Sequence, residues 1–343
     1  MKTLTIAFLY NVRHIYPDSS NDQSQLEADN DDPETIEAMV KHLKNCGFKV
    51  IQIEADENAY IKLQKNKKRI DLAFNYSMGI HGRDRYAHIP SMLEMLQIPY
   101  TGPSPLTEAL ILNKAKNKIF LSSHGVPVLP QQIFTNENES LNRKLKFPLI
   151  VKPSARGSSA GITNSSVVFD EENLRKQVSY VIKLFKEPAL VEPFITGREF
   201  SVAMLGNPPT ILPIIEADHS VIPKGYHPLD SLEVKWILEE QNSGFKHLMC
   251  PAKIENKLKK KLEDICYKTW NALDMQDWCR IDIRCDNKGK PYVLDVNSPP
   301  GMIPPEVSMT SYFPLAARSA GIEYDQLIKT AINAALKRYG KLN

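Results

Sequence analysis

The sequence predicts an α/β protein whose N-terminal part is a doubly wound parallel sheet. Three observations carry this. Apolar, strand-like runs alternate with a helical period from Lys2 to Asn75, the pattern of β-α-β units. A Ser/Gly-rich loop, Pro153 to Gly161, follows a strand-like run ending in Lys152. Trp278 to Gly301 reads as a hairpin with one oxygen-rich face. At 343 residues the chain is too long for one simple core, and roughly two or three domains are expected.

Taken in order, Lys2–Tyr10 reads as a first strand and Asn11–Asp32 as a long, polar, acidic loop. Pro33–Cys46 carries apolar residues at helical spacing (Ile36, Met39, Val40, Leu43), with Pro33 at its start and Gly47 at its stop. Phe48–Ile53 and Ile70–Asn75 are further strands. Ligands of such sheets collect at the carboxyl ends of strands, which draws attention to His81 and Arg83. Ile98–Pro105 is a breaker cluster and the first expected boundary. Helix follows around Leu106, Leu110 and Lys114, then strand at Phe147–Lys152, helix at Glu171–Phe185, and strands at Ala189–Glu192 and Arg198–Leu205. Ala217–Met249 is long and mixed, the place for a lid. Ile254–Leu273 is helical, and helix at Pro314–Tyr339 ends the chain.

The bulk numbers are those of a soluble globular chain. A formal net charge of +3 is too weak to argue for nucleic acid or a membrane surface. The cysteines at 46, 250, 266, 279 and 285 are scattered without metal spacing, which suits free thiols in a reducing cytoplasm. The apolar start is too short for a secretory core, and no stretch approaches a membrane span.

In the hairpin, Arg280, Asp282 and Arg284 alternate with Ile281 and Ile283, and Asp286-Asn-Lys-Gly289 is turn chemistry. Val293, Asp295 and Asn297 alternate with Leu294 and Val296. With Cys285 opposite Lys290, Arg280 lies opposite Asp295, and Asp282 is a diagonal neighbour of Asp295 at about 7–8 Å. Oxygen donors of this kind suit a hard cation such as magnesium; the alternative is a solvated hairpin face. The loop Arg156-Gly-Ser-Ser-Ala-Gly161 offers backbone N–H groups and hydroxyls to an anion, with Lys152 as a point charge. Its alternative is a mobile surface loop. No Walker A or Gly-x-Gly-x-x-Gly pattern occurs.

The series His81-Gly-Arg83, Ile98-Pro-Tyr-Thr-Gly102, Val151-Lys-Pro-Ser154 with Gly157–Gly161, Glu192-x6-Glu199-Phe, Cys250-Pro-Ala252, Arg280-Ile-Asp282, Asp295-x-Asn297-x-x-Pro-Gly301 and Pro314-Leu-Ala-Ala317 resembles the ATP-grasp superfamily. Within it, the chain looks most like the D-alanine–D-alanine ligases, from about Asn75 to Lys337. The resemblance implies an ATP-grasp fold: an N-terminal Rossmann-like domain (1–105), a central lobe (106–195) and a C-terminal lobe with lid and magnesium site (196–343), the two lobes clamping ATP. It implies that Lys114 and Lys152 contact ATP phosphates with Ser158 and Ser159 of the loop. Glu192 and Ile195 are expected to frame the adenine, and Glu199 to hold the ribose. Asp282, Asp295 and Asn297 are expected to bind two magnesium ions, with manganese as an alternative. Arg280 and the Gly301 amide would stabilise an oxyanion, and Lys235 in the lid would reach phosphates or substrate. The implied reaction phosphorylates a carboxylate; an amine then attacks the acyl phosphate, giving an amide, ADP and phosphate. Partners are small carboxylates and amines, and dimerisation through the N-terminal domain is a family expectation.

Departures fall on the substrate side. The family's Gly-Gly-x-Ser-x-Glu-type loop after strand one is Tyr10-Asn-Val-Arg-His-Ile-Tyr16 here, and Glu27 and Glu34 are distant substitutes. Trp236 stands where the lid tyrosine is usual, and Asp295 where glutamate is usual. About five extra residues lie within Ile303–Thr310, with Glu306 placed to repel a carboxylate or hold an amine. Ser311 aligns with the serine that binds the incoming carboxylate, and His81 is a further substrate candidate. The expectation is a carboxylate–amine ligase whose substrates are other than simple D-alanine. The alternatives are a true D-alanine–D-alanine ligase and a non-catalytic nucleotide-binding module.

Overall fold

The computed structural model describes residues 3–16, 21–239 and 246–342, without the side chains of Trp236, Ile237 and Glu239. It is α/β, with one parallel and two antiparallel sheets. The first sheet orders Lys49–Glu54, Thr5–Tyr10 and Leu72–Asn75, all parallel. Thr5–Tyr10 and Leu72–Asn75 are buried along most of their length because helices cover both faces. Ile6 and Phe8 pack with Met39 and Leu43 of helix Pro33–Asn45 and with Leu327 and Ile328 of helix Tyr324–Arg338. Ala7 and Leu9 face Leu63 and Leu93 on the other side. The C-terminal helix therefore completes the core of the N-terminal sheet. Arg338 reinforces this contact by donating to Asp277 Oδ2 (2.7 Å), Tyr100 O (2.8 Å) and Gly102 O (3.1 Å).

The second sheet orders Gln132–Phe134, Ala189–Pro193, Leu149–Pro153 and Val167–Val168, backed by helix Glu171–Phe185. The third orders Leu248–Met249, Ile215–Ala217, Glu199–Leu205, Trp278–Cys285 and Pro291–Asn297, with Thr210–Ile211 also pairing on Glu199–Leu205. Helix Asn256–Ala272 covers its apolar face through Leu262, Cys266 and Trp270. The polar faces of the second and third sheets meet across a cavity.

Two helical segments expected to be continuous are broken, each for a local reason. Pro105–Leu112 and Lys114–Ser123 are separate helices. Asn113 leaves helical geometry (ψ 87°), and its side chain caps the second helix at Lys116 N. The break puts Lys114 in the first turn of a new helix. The C-terminal stretch divides into Tyr312–Ser319 and Tyr324–Arg338 at Gly321, where φ is +76° and Ile322 N bonds Ala317 O, a Schellman stop. The acidic loop 11–32 holds a short 3₁₀ turn, Asp22–Glu27, packed toward helix Glu171–Phe185 through Gln25 and Tyr180. Among the described residues no helix is long and apolar enough to cross a membrane.

Trp278 is fully buried and meets Phe74 edge-on (5.0 Å, 85°), joining the third sheet to the first. Trp278→Ala should cost about 3–5 kcal/mol in chemical denaturation, the usual loss for a buried aromatic. A loss of unfolding free energy under about 1 kcal/mol would show that this contact is dispensable.

Candidate active site

The hairpin register differs from the simple two-residue alternation. Cys285 pairs with Pro291, not Lys290, and a bulge follows Ile283↔Val293. Leu294 is the extra residue, so Asp282 lies directly opposite Asp295 and Arg280 opposite Asn297. The bulge also turns Val293 into the core beside Val296, while Leu294, Asp295 and Asn297 line the cavity.

Asp282 is saturated with donors. Arg280 reaches it with Nε (3.0 Å) and Nη2 (2.8 Å), Ser201 Oγ with 2.6 Å and Asn297 Nδ2 with 2.9 Å. Burial would raise the Asp282 carboxyl, but Arg280 and Ser201 hold it below the usual carboxylate range. The Arg280 guanidinium is pushed up in turn: burial opposes its charge, and Asp282 outweighs it. Asp295 accepts the Lys114 ammonium at Oδ2. The acidic oxygens of the hairpin thus already hold cationic groups, as a metal-accepting donor set would.

Glu192 lies completely buried between two ammonium groups, Lys118 at Oε1 and Lys152 at Oε2 (2.7 Å). Burial raises its carboxyl, yet the two lysines together hold it down at about 2. Burial pushes Lys118 down to about 8, with Glu192 opposing the fall and the neighbouring Lys152 ammonium adding to it. Lys118 was not singled out from the sequence; its i, i+4 spacing from Lys114 was the available signal. Glu192 is thereby enclosed, and Ile195 lines a separate cleft with Asp286 and Lys288. The cavity between the sheets takes its apolar walls from Ile150, Ala217, Leu229 and Leu294.

Two cavities meet at this centre. One is lined by Lys152, Ser158, Ser159, Glu199, Asp282 and Arg284. The other is lined by Asp31, Tyr76, Gly301, Ser308 and Ser311. Lys114, Ser158, Lys235, Arg280, Asp295, Asn297 and Tyr312 border both. Ser158 and Ser159 adopt left-handed backbone (φ +48° and +59°), a costly conformation for serine of the kind stored at ligand loops. Ser159 Oγ donates to Asp230 O (2.7 Å), tying the loop to the segment after Ala217. A Cβ built on Gly301 would sit 3.9 Å from Arg280 Nη1, so the Gly301 backbone borders the guanidinium.

His81 is exposed in a third cavity with His14, Glu27 and Glu54, at the carboxyl ends of the parallel strands. Ser311 borders the second cavity, but its hydroxyl accepts Ile303 N (3.1 Å) and donates to Gly301 O (3.2 Å), closing the base of the extra loop. Glu306, in the extra loop, is not among the residues that line this cavity. It pairs with His42 Nε2 (2.8 Å), whose Nδ1 lies 2.5 Å from Asp325, so it anchors the loop from outside. The Trp236 side chain lies outside the described residues. Glu27 accepts His14 N (2.6 Å), and the N-terminal loop lines the second cavity instead with Asp31 and with Asp29, which Arg85 holds.

The layers and the oxygen-rich, lysine-rimmed cavity define an ATP-grasp protein. The Bacillus anthracis D-alanine–D-alanine ligase, one of whose crystal structures is a complex with ATP, shares the fold: TM-score 0.72 and 22% identity over 99% of each chain. The D-ala D-ala ligase C-terminus family matches residues 120–333. D-alanine–D-alanine ligases of Pelotomaculum thermopropionicum (30% identical, 89% of this chain and 92% of that one) and Carboxydothermus hydrogenoformans (32%, 88% and 93%) are similar over nearly the whole length. So is an uncharacterised Sinorhizobium fredii protein, y4sG, at 35% identity over 88% of both chains. The chain belongs to the D-alanine–D-alanine ligase family, ATP-dependent ligases that form carbon–nitrogen bonds.

Glu192→Ala should destabilise the protein by about 3–5 kcal/mol, since it leaves two buried ammonium groups uncompensated. The carboxylate's pKa is lowered on folding, so its contribution is complete above the unfolded value of 4.5 and fades as pH falls toward about 2. Denaturation of wild type and variant at pH 7 and pH 3 checks both: the difference between them should shrink in acid.

Proposed function

We propose that this protein is an ATP-dependent carboxylate–amine ligase that works through an acyl phosphate, on substrates other than simple D-alanine. The observation that carries the reading is the junction of the two cavities at Arg280, Asp295 and Asn297, with Lys114 and Lys235 at the same border. In this reading the central lobe (106–195) and C-terminal lobe (196–343) hold ATP, and the second cavity, roofed by the N-terminal domain (1–105), holds the carboxylate and the amine. ATP lies between the sheets, with adenine against Ile150, Leu229 and Leu294 and ribose at Glu199. Its phosphates run past Lys152, Ser158 and Ser159 toward Lys114. Glu192 and Lys118 act behind Lys152, holding its ammonium in place.

The donor set suits magnesium: Asp282, Asp295 and Asn297 carry oxygens on one face of the hairpin and would be its ligands, and Lys114 already places a cation at Asp295 Oδ2. Bound there, divalent cations offset phosphate charge during phosphoryl transfer. Arg280 and the Gly301 amide face the acyl carbon and take up the oxyanion formed when the amine attacks. Lys235 supplies further positive charge from the lid side.

In this reading Asp31 takes the substrate amine in place of the absent loop glutamate. Its carboxylate borders the second cavity, and among the described residues no hydrogen bond reaches it. Burial raises it to about 7, with Arg13 opposing and Asp32 adding to the rise. Arg13 itself is committed to Asp32 (2.8 Å) and to the carbonyls of Glu27 and Ala28. A substrate ammonium at Asp31 would complete it.

Phosphate release with ATP and magnesium, measured over D-alanine alone, D- and L-amino acid pairs and small carboxylates with amines, tests the reading. Silence with D-alanine and turnover elsewhere is expected; turnover with D-alanine alone would make this a true D-alanine–D-alanine ligase. ATP binding without any turnover would favour a nucleotide-binding module. Asp295→Ala should abolish turnover, and an unchanged rate would remove Asp295 from the metal set. An amine held by ionised Asp31 makes kcat/KM rise with pH to a plateau above about 7. Asp31→Asn should lose that acid limb, and a limb that persists would assign it to another group.

A further inference from the structure

Arg284 lies in the wall of the first cavity, 4% exposed, and its contacts join Glu199 of that wall to the turn and the segment beside it. Nη1 is 3.0 Å from Glu199 Oε2. Nε donates to Gly197 O (3.2 Å), Nη2 donates to Pro228 O and lies 3.5 Å from His219 Nδ1, and the guanidinium stands 5.6 Å over the Phe194 ring. Gly197 and Phe194 belong to the turn between the second and third sheets, Glu199 to the floor, and His219 and Pro228 to the segment that closes over the cavity.

Glu199, His219 and Asp230 present ligand atoms within 4.8 Å of one another, a spacing that suits a cation. Arg284 sits against two of the three, Glu199 and His219. The linkage continues past it. His219 Nε2 is 2.9 Å from Asp230 Oδ1, the Tyr312 hydroxyl donates to Asp230 Oδ2 (2.5 Å), and Arg280 stands 5.3 Å over the Tyr312 ring. Side chains in contact therefore run from Glu199 at one end of the cavity to Arg280 at the other.

We infer that Arg284 is a positioning residue: it fixes the Glu199 carboxylate for the ribose and joins it to the closing segment at Pro228 and His219. This rests on the reading that the ribose lies at Glu199. The physical ground is pre-organisation. A carboxylate with one oxygen held by a rigid guanidinium keeps the other turned to an incoming hydroxyl, and the ordering cost is met before the ligand arrives. Without the guanidinium, Glu199 loses its orientation and the closing segment loses its bond at Pro228.

Calorimetric titration of the full-length protein with ATP, 2′-deoxyATP and 3′-deoxyATP in magnesium tests this without a known carboxylate substrate. Wild type should prefer ATP over at least one deoxy analogue. Arg284→Met should weaken ATP about tenfold, what one charge-assisted hydrogen bond is worth, and bring the three nucleotides close to equal affinity. Arg284→Lys, which keeps charge without the fork, should fall between. A purely structural role would weaken all three alike and leave their ratio unmoved, which would overturn the proposal. Glu199→Gln separates the two readings. If it removes the ribose preference while Arg284→Met and Arg284→Lys preserve it, only the Arg284 role fails. If Glu199→Gln leaves the preference intact, the ribose placement fails and the Arg284 role fails with it.

Discussion

The saturation of Asp282 is the constraint on which the site depends. Four donors converge on one carboxylate from three adjacent strands: Ser201 from Glu199–Leu205, Arg280 from its own strand, and Asn297 from Pro291–Asn297. A buried carboxylate must be paired, and here the pairing can be met only if the three strands stand in one register. The bulge at Leu294 supplies that register. It brings Asp295 opposite Asp282 while returning Val293 and Val296 to the core. Floor and chemistry are thus set by the same backbone irregularity.

Positive charge is arranged around this centre with a similar logic. Lys114 meets Asp295 across the cavity, whereas Lys152 and Lys118 are both held by Glu192 beneath it. One carboxylate serving two ammonium groups leaves a net positive surface facing the cavity, the charge balance a triphosphate calls for. The closing segment is attached to the same framework through Asp230, which burial would raise but which His219 and His247 hold well below the usual carboxylate range. The nucleotide end and the acyl end are therefore parts of one connected polar network.

The substrate side follows different rules. There the N-terminal loop and the extra loop 303–310 approach the centre from opposite directions, and their contacts are to the scaffold more than to each other. Glu306 is held by His42, Ser311 closes the loop base, and Tyr76 receives Met302 N (2.9 Å). The N-terminal loop lines the second cavity with Arg13 and with residues 28–31, Asp31 among them, close in sequence to the helix that begins at Pro33. Loops so anchored can change a ligand preference without disturbing the floor.

Sequence alone determined the features that repeat or alternate. The β-α-β order, the helix at Glu171–Phe185, the two-faced hairpin and the Ser/Gly loop were legible because strand and helix periodicity, turn residues and small-residue runs are local signals. The family followed from motifs read in order. Tertiary structure alone decided the rest. A bulge shifts register without changing composition, so the Asp282–Asp295 pairing was hidden. The enclosure of Glu192, the outward anchoring of Glu306, and the encounters of Arg284 with Glu199 and of Asp31 with the cavity all join residues distant in sequence. Such pairings are set by how sheets and loops pack, because only packing excludes the water that would otherwise satisfy each charge separately.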